Sequence, residues 1–107
     1  MIDAGAAAFH EARIDGRRIA RSASTLDVDG ARYFPPSDVD MRFLTVKRAF
    51  SVCPYKGIAR YYTVTVGDTV VPRGAWTYRH PLPGSGRIRG YIAFGDRIDV
   101  VEATAGP

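Results

Sequence analysis

Pairings of glycine with aspartate punctuate this chain, and three of them, Asp15-Gly16, Gly67-Asp68 and Gly95-Asp96, each separate two short runs rich in apolar residues. Glycine reaches the positive φ that a two-residue primed turn requires, so each pair reads as the closure of a β-hairpin. Asp15-Gly16 divides FHEARI from RRIARS, Gly67-Asp68 divides ARYYTVTV from TVV, and Gly95-Asp96 divides GYIAF from RIDVV. The flanking runs alternate with the strand period. Tyr62, Val64 and Val66 oppose Tyr61, Thr63 and Thr65; Ile92 and Phe94 oppose Tyr91 and Ala93; Ile98 and Val100 oppose Arg97, Asp99 and Val101. FLTV at 43–46 adds a further strand. PPSDVDM offers a single helical turn that Ser37 can cap, and RHPLPGSGR at 79–87, with two prolines and two glycines, is a loop. The expectation is a mainly β, compact antiparallel fold with little helix.

A chain of 107 residues builds one core. We expect a flexible lead-in over 1–8, a single β domain over 9–102 and a loose C-terminus over 103–107. The 46% hydrophobic and 24% charged residues are those of an ordinary soluble domain. No apolar run approaches the roughly 18 residues that cross a bilayer. MIDAGAAAFHEAR lacks a basic start and a long apolar segment, so neither a signal peptide nor a membrane partner is expected. The one cysteine excludes an internal disulfide, which together with the missing leader points to the cytoplasm. Cys53, His10 and His80 do not have zinc-site spacing, so neither a metal nor another cofactor is expected. The net charge of +4 is mostly arginine, densest at Arg17-Arg18 and Arg87-Ile88-Arg89. These clusters are short and interspersed with acids, so nucleic acid ranks last among the partners considered.

CPYKG, residues 53–57, holds that cysteine and one of two lysines. Pro54 biases Cys53 towards extended backbone and presets its own φ for a tight turn. Gly57 accepts a left-handed conformation, so the segment reads as a strand end, a tight turn and the start of a long strand. Lys56 beside Cys53 would favour the thiolate, whereas apolar burial would raise the thiol pKa. A desolvated Lys56 would itself lose its proton more readily. His80, at the start of the proline-rich loop, can serve as acid or base near neutral pH.

The segments RYFPPSDV (32–39), CPYKG with ARYY (53–62), AWTYRHPLP (75–83) and GYIAF (90–94) occur in this order. Their arrangement resembles the family called domain of unknown function 427, also labelled a nucleotidyltransferase-like domain, over about residues 9–102. The matching positions are Tyr33, Pro35, Asp38, Cys53, Pro54, Lys56, Gly57, Tyr61, Trp76, Tyr78, Pro81, Gly90, Tyr91 and Phe94. The resemblance implies a fold similar to the β-tent group. Members of that group commonly bind zinc through paired CxxC motifs, and this chain has none. It also lacks a Gly-rich phosphate loop and acids at a convincing metal spacing. Asp38 and Asp40 are expected to cap or decorate the short turn after Pro36.

Tyrosine pairs an apolar ring with a hydroxyl, so it can wall a pocket and still hydrogen-bond a ligand. The expected function is binding of a small polar or anionic metabolite, and its transformation if the site is catalytic. Tyr33, Tyr61, Trp76, Tyr78 and Tyr91 would form the walls, and Lys56, Cys53 and His80 would be the reactive groups. The alternative is a non-catalytic interaction module acting through a homodimer or strand pairing.

Overall fold

The computed structural model describes residues 8–104. Nine strands form two antiparallel sheets: β1 (Ala8–Ile14), β2 (Arg17–Ser22), β3 (Leu26–Val28), β4 (Ala31–Phe34), β5 (Leu44–Cys53), β6 (Gly57–Val66), β7 (Thr69–Thr77), β8 (Ile92–Phe94) and β9 (Asp99–Thr104). The small sheet has the order β2-β1-β9, and the large one β3-β4-β8-β7-β6-β5. Helix among the described residues is limited to three single 3-10 turns. The mainly β reading therefore holds. The expected lead-in and loose end fall mostly outside the described residues; within them, Ala8 pairs with Thr104 and Phe9 with Ala103.

Strand alternation divides the large sheet between two clusters. Phe34, Val64, Ala75, Ile92 and Phe94 face the small sheet and meet Ala12, Ile14, Ile19 and Ala20. Their neighbours Tyr33, Ala93 and Trp76 point to the opposite face, where Ile88 of the 79–91 loop helps to cover them. Phe34 and Phe94 meet edge to face at 5.5 Å between ring centroids. Tyr62, Val64 and Val66 share the inter-sheet face, as their spacing predicts. A bulge in the β1–β2 pairing makes Ile19 an extra residue, so Ile19 and Ala20 both reach the core.

Asp15-Gly16 and Gly67-Asp68 close the hairpins expected of them. Gly95-Asp96 does not. β8 lies between β4 and β7, whereas β9 crosses to the small sheet and pairs with β1. The Gly95 amide donates to the Gly74 carbonyl at 2.9 Å, and the Ile98 amide donates to the Gly95 carbonyl at 3.0 Å. This turn carries Ile98 into the core between the sheets, a burial that a local hairpin would forfeit. Val100 and Val101 both remain partly exposed on the outer strand, so the expected alternation of RIDVV is not realised there.

The PPSDVDM region differs in detail from expectation. Ser37 lies inside the Pro36–Asp38 turn, which has no side-chain cap. Asp40 instead caps the Met41–Phe43 turn, accepting from the Arg42 amide. The Arg42 guanidinium binds the same carboxylate at 2.7 Å and holds its pKa down to about 2.

Candidate functional site

The CPYKG turn forms as its residues dictate. β5 ends at Cys53, Gly57 opens β6 opposite it, and Pro54, Tyr55 and Lys56 make the loop between them. Gly57 has φ +112°, and a Cβ there would stand 3.3 Å from the His80 carbonyl oxygen. Both the backbone conformation and the space favour glycine. The proline-rich loop is fastened to this turn: the Leu82 amide donates to the Lys56 carbonyl at 2.9 Å, and the Ser85 hydroxyl donates to the Tyr55 carbonyl at 3.3 Å. Two segments singled out in the sequence thus form one structural unit.

From this unit Lys56 extends beneath the second cluster. Its side chain is only 12% exposed, and its ammonium forms an ion pair with Asp29, whose side chain is 73% exposed. Asp29 and Gly30 are the two loop residues of the β3–β4 hairpin, both with positive φ (53° and 81°), the geometry of a type I′ turn. Their Asp-Gly pattern repeats that of Asp15-Gly16, and it is the sequence signal through which this part of the site could have been found.

Lys56 and Asp29 border a cavity of about 250 Å³. Tyr33, Tyr61, Trp76 and Tyr78 wall it, and Val28, Ala31 and Ala59 complete the lining. The Trp76 indole N–H donates to the Tyr33 hydroxyl at 3.4 Å. Tyr61 packs against Trp76, with 6.4 Å between ring centroids, and exchanges a hydrogen bond with the Ser51 hydroxyl at 3.0 Å. The Arg73 guanidinium stands over the Tyr61 ring at 5.1 Å. Hollows of about 420 Å³ beside Arg18 and Asp40, and about 300 Å³ beside Lys47 and Phe50, are larger. Size alone does not decide; convergence of polar tips on an aromatic enclosure is the better mark of a ligand site.

The electrostatics fix the protonation states. The hydrogen bond from Lys56 to Asp29 raises the lysine pKa and outweighs burial, which acts in the other direction. Lys56 therefore keeps its proton, contrary to the expectation that desolvation would release it. Backbone N–H groups of Tyr55 and Lys56 lower the Cys53 thiol pKa; the Lys56 charge adds to this, while burial and Asp29 oppose it. Burial raises the Tyr78 pKa, with a further contribution from Tyr33, so its phenol stays protonated.

The other expected site residues lie outside the lining of this cavity. Cys53 is half-buried, packs against the second cluster and is coupled to Lys56 through its charge. Tyr91 packs against the same cluster. The His80 side chain is exposed, and only its backbone carbonyl approaches the CPYKG turn. No cluster of histidine, cysteine or acidic side chains suited to a metal occurs among the described residues.

These features follow one another along the chain in the pattern of a known family, whose model matches residues 7–104. The chain belongs to the family described as a domain of unknown function (DUF427). The DUF427 match spans all nine strands, so the CPYKG turn, the aromatic strand β7 and the proline-rich loop are parts of one family unit. No curated protein matches the chain. No described helix is long and apolar enough to cross a membrane.

Proposed function

We propose that this DUF427 domain binds a small polar or anionic metabolite in the cavity beside Lys56, and that Lys56 supplies the proton for any transformation there. One observation carries the reading: a protonated lysine, largely withdrawn from water, faces a hollow walled by three tyrosines and a tryptophan. An ammonium in such a place attracts carboxylate or carbonyl oxygen more strongly than one in bulk water. Lys56 is the electrostatic anchor and proton donor, and the tyrosine hydroxyls orient polar groups of the ligand. The volume of about 250 Å³ restricts the ligand to a small metabolite.

The test is a thermal-shift screen of small carboxylates and carbonyl compounds against wild type and Lys56→Met. A ligand that stabilises the wild type through mass action should lose its effect in the variant. Equal stabilisation of both proteins by every hit would remove Lys56 from the site.

Apolar side chains on β5 favour a second reading as an interaction module. Val46, Phe50 and Val52 are exposed on this outer strand. Light scattering that gives a dimer mass at micromolar concentration would support it, and a concentration-independent monomer would count against it.

A further inference from the structure

β5 forms the outer edge of the large sheet, and its pairing with β6 slips between Lys47 and Phe50. Lys47 faces Tyr61 and Phe50 faces Arg60, which leaves Arg48 and Ala49 without partners in the register. A bulge of this kind bends a strand and re-aims its side chains. Here it borders a hollow of about 300 Å³.

Lys47, Arg48, Arg60 and Arg79 all line this hollow, and among the described residues no carboxylate does. Elsewhere six cations are held by acids, and Arg17, Arg73, Arg87, Arg89 and Arg97 are unpaired among the described residues but do not line this hollow. Arg13, Arg18 and Arg21 share Glu11, while Arg32, Arg42 and Lys56 pair with Asp27, Asp40 and Asp29. None of the four cations at the bulge has an ion-pair partner among the described residues. Like charges gathered around one hollow raise its potential and concentrate anions there. Phe50, 60% exposed, lines the same hollow, and the Arg60 guanidinium stands 6.0 Å from its ring centroid.

We propose that the β5 bulge is a second binding site, which takes a small phosphorylated molecule carrying a flat ring. The arginines supply forked donors that match phosphate geometry, and Phe50 receives the ring. Four cations with no acid among them suit a dianion better than a single carboxylate. A second copy of the chain is a poor occupant at this point. Pairing β5 with itself would bring Lys47 and Arg48 towards their own counterparts, and the bulge interrupts the ladder of hydrogen bonds. Tyr61 borders both this hollow and the aromatic cavity, so the two sites are adjacent but differently lined.

Calorimetric titration at low salt with inorganic phosphate and phenyl phosphate tests the assignment. Phenyl phosphate should bind more tightly than inorganic phosphate, and Phe50→Ala should abolish that advantage. Arg60→Ala combined with Arg79→Ala should weaken phenyl phosphate about tenfold or more, the scale of losing charge-assisted hydrogen bonds. Arg48→Ala provides a separate variant at an exposed position, with a smaller loss expected, should the double variant melt early. No binding to the wild type, or equal affinity in the wild type and the arginine variants, overturns the proposal. A third titration uses single-stranded oligothymidylates. Affinity that climbs with strand length and exceeds that for phenyl phosphate would assign the surface to a polynucleotide and overturn the small-molecule site.

Discussion

Lys56 and Asp29 lie 27 positions apart in sequence and meet as an ion pair at the cavity bordered by both. The pair is lopsided: the ammonium is largely withdrawn, while the carboxylate faces water. A ligand anion can therefore displace the exposed Asp29 carboxylate and pair with the withdrawn Lys56 ammonium. Asp29→Asn should tighten binding of an anionic ligand several-fold, and Lys56→Met should weaken it by at least tenfold, the scale of a charge-assisted hydrogen bond. Equilibrium titration with a hit from the metabolite screen checks both.

The same pair sets opposite influences on Cys53. Lys56 lowers the thiol pKa and Asp29 raises it, while the backbone N–H donors act independently of either side chain. Lys56→Met should move the midpoint of iodoacetamide alkylation to higher pH, and Asp29→Asn should move it to lower pH. Coincident midpoints in all three proteins would show that neither charge reaches the thiol.

Tyr33 accepts a hydrogen bond from the Trp76 indole on a largely buried wall. Tyr33→Phe leaves the ring in place and removes the acceptor, at a cost of about 1 kcal/mol. The melting temperature should fall by roughly 4–8 °C. An unchanged melt would mean that water replaces the lost hydroxyl.

Gly57→Ala tests the link between the turn and the loop. The added methyl meets the His80 carbonyl in a backbone conformation that alanine rarely adopts. The expected cost is about 2 kcal/mol, read by chemical denaturation, with faster hydrogen exchange at the Leu82 amide.

Glu11 is buried beneath Arg13, Arg18 and Arg21 on the small sheet. Burial raises its pKa, but bonds and charge from Arg13 and Arg18 prevail, and the net value lies below the ordinary 4.5. The unfolded chain thus binds this proton first as pH falls. The contribution of Glu11 to stability is present above pH 4.5 and is lost as pH drops through its lower folded value. Glu11→Gln should cost about 2 kcal/mol near neutral pH, less than a fully buried pair because the guanidinium groups reach water. It should also flatten the decline in stability as the pH falls below the ordinary carboxylate value of 4.5.

Much of this architecture was legible because it rests on local chemistry. The turn at Pro54–Gly57 follows from proline and glycine preferences, and the two faces of β6 follow from its alternation. The crossing after Phe94 was not legible, because Gly95-Asp96 has the composition of a hairpin and only the burial of Ile98 between the sheets redirects it. Asp29 and Glu11 were also missed. Asp29 acquires its role from Lys56 in a distant loop, and Glu11 from Arg18 and Arg21 on β2 as well as from its neighbour Arg13, so most of each ion pair is formed only by folding. Tyr33, Tyr61, Trp76 and Tyr78 were named together from the sequence and meet at one cavity, whereas Tyr91 and His80 stand outside its lining.

The central claim is that the aromatic cavity holds a ligand against the Lys56 ammonium. Nitrogen–proton correlation spectra of the labelled protein, recorded while a hit from the metabolite screen is titrated, test it most directly. The account predicts that the Trp76 indole signal and the amides of Asp29, Ala31 and Ala59 shift together in the wild type and stay fixed in Lys56→Met. Shifts confined to other surfaces, or an identical response in the variant, would contradict it.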